Sequence, residues 1–253
     1  MPPISTPAIV LTTFRYGETS KIARLATRDL GVQSAIAKGA LRLRSKFGTS
    51  LHLLSEGHAT LFMARSGDLH TLTQFDPRHV WTGLAARMDR FAAASLLSEL
   101  MLRFAPATPH PESYDLLRDA LAVLEAAPAA AVEPLGLRVL WRLVSVLGFA
   151  PSIDACARDG APLPGDVPVS FSGRDGGILC ASCARGTVGT RLKPTDRADL
   201  AAFLDPDAEL PSLDEPHLAS HRRLLDRYIR HHLGEGATLP ALAFWLDRSW
   251  SAA

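Results

Sequence analysis

Residues 32–50 read VQSAIAKGALRLRSKFGTS. The first six alternate in the manner of a β-strand. Residues 38–50 then carry Lys38, Arg42, Arg44 and Lys46 with no acid among them, bracketed by Gly39 and Gly48. A cationic, glycine-flanked loop leaving a strand suits a phosphate backbone, because each Lys or Arg contact releases condensed counterions. A solvated hairpin would look the same, so the neighbouring segments decide the reading.

Working outward, residues 8–14 (AIVLTTF) are rich in β-branched and apolar side chains, residues 15–20 supply a turn, and residues 21–27 alternate again. Arg28-Asp29-Leu30-Gly31 then turns the chain into the quoted strand. Beyond the basic loop, residues 51–63 and 69–75 alternate around Arg65-Ser66-Gly67-Asp68. Five short strands in about 70 residues predict a closed five-stranded barrel of OB-fold type, because closure leaves no unprotected edge. An SH3-like barrel fits the same count less well.

From residue 77 the period changes. Apolar positions three and four apart predict helices over residues 80–104, 112–126 and 132–147. The last is apolar apart from Glu133, Arg138 and Arg142, which suits the central helix of a bundle. Residues 148–190 follow neither period and hold all three cysteines; helical spacing resumes over 196–204, 217–233 and 239–250. The predicted class is therefore α+β: a nucleic-acid-binding barrel over residues 1–79, then a helical domain over 80–253 with an inserted segment at 148–190.

Net charge is only +1, but it is unevenly spread. Residues 1–80 carry ten Lys/Arg against five Asp/Glu, and the remainder seventeen against twenty-one. A local excess sets the field at a binding face. The chain opens without a basic region leading into an apolar run, and no window of 18 apolar residues occurs. A soluble, cytoplasmic protein without membrane contact is expected. Three cysteines do not make a disulfide framework.

Those cysteines fall in Cys156-Ala157-Arg158-Asp159 and Cys180-Ala181-Ser182-Cys183. Two C-x-x-C pairs would each place two thiolates on one tetrahedral zinc ion from a tight turn. Asp159 stands where the first pair's second thiolate would be, and a carboxylate also ligates zinc. Cys156, Asp159, Cys180 and Cys183 are therefore the candidate zinc ligands, with Asp154 an alternative fourth; a knuckle held by local hydrogen bonds without metal is the other reading. A thiol redox pair belongs in a βαβ unit, which is not visible here. A zinc deaminase needs a Glu where Arg158 stands. The chain has no GxGxxG, P-loop, HExxH or GxSxG, so no catalytic residue is assigned. His231 and His232 are expected at a helix end near Gly234, where positive charge is favourable.

Four pieces carry a family resemblance: residues 16–31 (YGETSKIARLATRDLG), residues 37–48 (AKGALRLRSKFG), the run from Gly148-Phe149-Ala150-Pro151 through Cys156 to residues 176–183 (GGILCASC), and residues 224–234 (LLDRYIRHHLG). Taken in order they resemble the RecO family of bacterial recombination mediators over nearly the whole chain. The resemblance implies an OB-fold, a helical domain and a zinc knuckle whose thiolates carry over at Cys156, Cys180 and Cys183 only; Asp159 departs from the pattern. It also implies binding of single- and double-stranded DNA and annealing of strands coated with single-stranded DNA-binding protein. RecR is the implied partner, RecA loading the outcome, and the nucleoid the place of action, with no covalent chemistry. The acidic C-terminal tail of the single-stranded DNA-binding protein is a further implied partner, for which Arg138 and Arg142 are candidate rim residues.

An OB barrel holds single strands by a basic groove plus aromatic stacking. The groove candidates are Arg15, Lys21, Arg24, Lys38, Arg42, Arg44 and Lys46, with Tyr16 and Phe47 as stackers and Phe14 expected in the core rather than as a third. The rival reading is a protein-interaction scaffold in which DNA contact is incidental.

Overall fold

A computed structural model describes residues 2–48, 50–233 and 238–248. Two compact units emerge, Met1–Ala126 and Ala127–Ala253. In the first, strands β1 (Ile4–Tyr16), β2 (Ser20–Thr27), β3 (Gly31–Ala37), β4 (Glu56–Phe62) and β5 (Leu69–His79) close into a barrel of order β1-β2-β3-β5-β4. Strand β1 is long enough to serve two neighbours. It runs antiparallel to β4, with Ile4 opposite Leu61, and antiparallel to β2, with Tyr16 opposite Ser20. Strands β3 and β5 complete the ring in parallel, Ala35 beside His70. This is the OB-fold anticipated from the strand pattern.

One strand boundary differs. The strand expected from residue 51 begins at Glu56, because Leu54 adopts the left-handed backbone region (φ 64°) and turns the chain. The turn is held to β1 by the Leu54 N–H on the Val10 carbonyl (2.7 Å) and the Val10 N–H on the Ser55 carbonyl (2.9 Å).

Helices α1 (Thr82–Ala85), α2 (Met88–Phe104) and α3 (Pro111–Ala126) group with the barrel, whereas the sequence pattern suggests a boundary after residue 79. A β-bulge in β1 between Val10 and Thr12 leaves the Leu11 carbonyl to accept from the Ser98 hydroxyl of α2 at 2.8 Å. The α2–α3 connector lies against β3: the Val32 N–H donates to the Pro106 carbonyl, and the Gln33 amide to that of Ala107, both at 2.9 Å. The Gln33 side-chain oxygen in turn meets His70 Nε2 at 2.9 Å, so a buried polar chain joins β5, β3 and the connector. Gly31 takes φ +75° where the connector crosses, and a Cβ there would lie 2.2 Å from the Thr108 carbonyl oxygen. Only glycine satisfies both constraints.

The second unit holds α4 (Val132–Val144), β6 (Val169–Ser172), β7 (Gly177–Leu179), α5 (Ala181–Ala184), β8 (Thr190–Leu192), α6 (Pro194–Leu204), α7 (Glu215–Leu233) and α8 (Pro240–Asp247). Its helical core centres on fully buried Trp141 of α4, whose ring meets Tyr228 of α7 at 5.3 Å and Phe171 of β6 at 6.5 Å. Glu133 of α4 pairs with Arg222 of α7 and with Arg248 beyond α8. The segment over residues 148–190 has more structure than its composition suggests: β7, β6 and β8 form a small antiparallel sheet in that order. Strands of three and four residues are too short to display an alternation. Helix α8 ends at Asp247, and the expected end at Trp250 lies outside the described residues. Among the described residues, no helix is long and apolar enough to cross a membrane.

Candidate nucleic-acid interface and metal centre

The basic loop connects β3 to β4 through successive tight turns: the N–H groups of Ala40, Arg42, Ser45 and Gly48 each donate to the carbonyl three residues back. Its side chains sort into two sets. Ala40, Phe47 and Leu51 fold into the barrel core, while Lys38, Arg42, Leu43, Arg44 and Lys46 stay exposed. Phe47 is 2% exposed, so it anchors the loop and offers no stacking platform, contrary to the sequence expectation. Burying one aromatic ring holds the loop in place while leaving its charges to solvent.

Register assembles the rest of the basic set. Arg15 lies opposite Lys21 near the tip of the β1–β2 hairpin, and Lys21 lies opposite Ala37, the neighbour of Lys38. The tip is tied to the loop by the Leu41 N–H on the Thr19 carbonyl (2.8 Å) and the Gly39 N–H on the Ser20 hydroxyl (3.4 Å). Arg15, Lys21 and Lys38 thus gather with the loop cations. Arg24 does not join them. It alternates with buried Ala23 and Leu25 and faces outward, lining a hollow of about 360 Å³ with Phe14, Leu53 and Leu102; its Nε is buried without a hydrogen-bond partner.

Phe14 corrects a second expectation. Simple alternation from buried Val10 would point it inward, but the extra residue at Leu11 reverses the parity, and Phe14 is 55% exposed. Tyr16, at the end of β1, is 51% exposed. Of the three aromatics singled out in the sequence, Phe14 and Tyr16 therefore offer free faces and Phe47 does not.

The second site is the thiol cluster. Donor atoms of Cys156, Asp159, Cys180 and Cys183 lie within 4.8 Å of one another, whereas Asp154 is not among them. Two tight turns assemble the cluster. In the first, the Cys156 carbonyl accepts from the Gly160 N–H at 2.8 Å, with Gly160 at φ +73°, and buries the Cys156 thiol. In the second, Cys180 caps α5 and its sulfur accepts from the Cys183 N–H at 3.4 Å. Asp159 Oδ2 accepts from the Cys180 and Cys183 thiols at 3.3 and 3.2 Å, and Oδ1 from the Ala161 N–H at 3.0 Å. The Ala161 bond and the surrounding thiols hold the Asp159 carboxyl well below its usual range. The same carboxylate pushes the Cys183 thiol up to about 12, whereas Cys180 is lowered, chiefly by the Ser182 hydroxyl.

This donor set fits a metal ion. A tetrahedral ion bound by sulfur at about 2.3 Å holds its donors roughly 3.8 Å apart, and donors that all lie within 4.8 Å of one another reach that spacing by small side-chain adjustments. It would also replace the shared thiol protons. Arg158, considered in the sequence only because it is not a Glu, supports the cluster. It makes a bidentate pair with Asp175, donating from Nε to Oδ1 at 3.1 Å and from Nη2 to Oδ2 at 3.0 Å, and donates to the Cys183 carbonyl at 2.9 Å. Nothing in the sequence signals that pairing, because Asp175 sits in a different turn.

Other singled-out residues have structural partners. Arg138 is half-buried and donates to the carbonyls of Ala202 (3.2 Å) and Ala208 (2.8 Å); burial lowers its pKa. It therefore straps α4 to α6 and to the loop that follows α6. His232 packs between Phe149 (4.9 Å) and Tyr228 (4.5 Å), and burial lowers its pKa, which disfavours the positive charge expected at the helix end. His231 instead faces a cavity of about 580 Å³ with Arg158, Arg174, Arg227, Val188 and Tyr228, a basic and aromatic lining that the sequence reading missed.

The comparisons with known proteins agree with both halves. The family described as "Recombination protein O N terminal" matches residues 1–81, and "Recombination protein O C terminal" matches residues 86–239. Over 234 residues the chain is 33% identical to the DNA repair protein RecO of Anaeromyxobacter dehalogenans, covering 89% of this chain and 90% of the relative. It is 36% identical over 179 residues to that of Rubrobacter xylanophilus (69% of each chain), and 31% identical over 233 residues to that of a Nocardioides species (90% and 94%).

Proposed function

This chain belongs to the RecO family of DNA repair proteins, and from that premise we propose that it is a recombination mediator. It binds single- and double-stranded DNA and anneals complementary strands coated with single-stranded DNA-binding protein. Together with RecR it promotes RecA loading, in the cytoplasm at the nucleoid, without covalent chemistry. The observation that carries this reading is the acid-free loop of residues 38–50, which presents Lys38, Arg42, Arg44 and Lys46 to solvent on an OB barrel while Phe47 anchors it. Phosphate contacts of this kind are sequence-blind and exchange quickly, as annealing requires. Phe14 and Tyr16 supply the stacking faces.

In this reading residues 1–79 contact nucleic acid and residues 80–253 receive protein partners. The cavity beside His231 joins Arg174 and Arg227 to apolar Val188 and Leu224, which suits the acidic C-terminal tail of the single-stranded DNA-binding protein. Cys156, Asp159, Cys180 and Cys183 would hold one zinc ion, which would supply a structural cross-link between the two turns.

The deciding experiment is annealing of strands precoated with single-stranded DNA-binding protein, across a salt series, for the wild type and Arg42→Glu/Arg44→Glu/Lys46→Glu. Wild-type acceleration that fades with salt and is lost in the variant, with the RecR complex intact, is the expected result. Equal annealing by both proteins leaves the scaffold reading.

A further inference from the structure

We propose that Asp196 and Asp199 of α6 and His221 of α7 form a second cation site, for a first-row divalent transition metal bound through nitrogen and oxygen. The two carboxylates are three residues apart on one helical face, and the donor atoms of all three residues lie within 4.8 Å of one another.

The observation that points to a ligand is the state of His221. It is 2% exposed, and neither ring nitrogen has a hydrogen-bond partner among the described residues. Its Nε2 lies 3.7 Å from Asp199 Oδ2, aimed at the carboxylate but too far for a hydrogen bond. Native proteins rarely leave a buried imidazole with both nitrogens idle. Phe203 packs edge-on against the ring at 5.2 Å and fixes its plane.

The carboxylates are suitably disposed. One Asp196 oxygen accepts from the Lys193 N–H at 3.1 Å, which orients the group and leaves the other oxygen for the ion. Asp199 is half-buried and needs only a side-chain adjustment to meet a metal at about 2.0–2.2 Å. Water would complete the shell. His217, one turn before His221, already pairs with Asp214 at 2.5 Å and is not counted as a ligand. The donors are nitrogen and oxygen, against three sulfurs in the cysteine cluster, so the two sites are distinguishable by spectroscopy.

The test is Co(II) titration of the full-length chain, wild type and Asp199→Asn. Total bound cobalt is compared with the thiolate-to-cobalt charge-transfer absorption, which counts only ions on the cysteines. We expect one equivalent of cobalt beyond that carried by the thiolate band. In Asp199→Asn, and in Asp196→Asn as a second variant, its affinity should fall roughly tenfold or more while the thiolate band is unchanged. Wild-type cobalt fully accounted for by the thiolate band overturns the proposal, as does an extra equivalent that persists at full affinity in both variants. Because only non-thiolate cobalt is counted, the result does not depend on whether the cysteine cluster loads.

Discussion

Gly31 approaches Thr108 so closely that a single added carbon would sit 2.2 Å from the Thr108 carbonyl oxygen. The backbone there is also left-handed. Gly31→Ala should therefore cost at least about 2 kcal/mol, combining backbone strain with displacement of the α2–α3 connector. Urea unfolding of the two proteins would measure it; a loss within error of zero would mean that the connector moves freely.

Arg197 anchors the start of the knuckle segment. Arg197 is 7% exposed, and its guanidinium donates to the carbonyls of Ile153 (2.8 Å), Pro164 (2.5 Å) and Leu163 (2.8 Å). Removing it in Arg197→Ala strands three acceptors, with an expected loss of about 3 kcal/mol. Arg197→Lys should recover only part of this, because an ammonium cannot match the planar fork. Full recovery by lysine in chemical denaturation would show that charge alone matters.

Phe14 and Tyr16 should act on single strands. Phe14→Ala is expected to weaken single-stranded DNA binding about tenfold and to leave duplex binding nearly unchanged, because only unpaired bases present a free face for stacking. Fluorescence anisotropy with both DNA forms reads the contrast. Equal weakening of both would reassign Phe14 to general packing.

Metal removal should act on folding before function. Chelation, or Cys180→Ser, is expected to lower the melting temperature, with annealing per folded molecule retained. Zinc affinity should also fall on acidification, as protons reclaim the thiols. If annealing is lost while the melting temperature stays fixed, the cluster belongs to the working surface.

Acid should destabilise the helical unit through its buried histidines. Burial holds His221 and His232 below the ordinary histidine value, so the unfolded chain binds more protons as pH falls through about 6.5. Their stabilisation is complete above that value and is lost below it. His217, raised by its hydrogen bond to Asp214, works in the opposite direction. His232→Gln should flatten the decline in metal-free unfolding midpoint between about pH 7 and 5. An unchanged slope would exclude His232 as a contributor.

The barrel was legible in the sequence because its strands run long enough for a two-residue period to show. The helices were legible because Leu and Ala recur at three and four. Three features were not. The bulge at Leu11 reversed Phe14, and a single inserted residue leaves no compositional trace. Phe47 looked like a stacker because it lies among cations, yet the barrel core absorbs it. The Arg158–Asp175 clamp and the Asp196–Asp199–His221 group depend on tertiary contacts between segments that carry no shared motif. Cys156, Asp159, Cys180 and Cys183, by contrast, converge as their spacing suggests, because each pair sits on its own tight turn.

The anchoring of the basic loop has a kinetic consequence. With Ala40, Phe47 and Leu51 staked in the core, the cations between them are spread before any nucleic acid arrives. Little ordering entropy remains to be lost on contact, and little is regained on release. In the proposed function the loop would act less like a flexible arm that wraps and clings than like a fixed rail along which a strand can slide until it meets its complement.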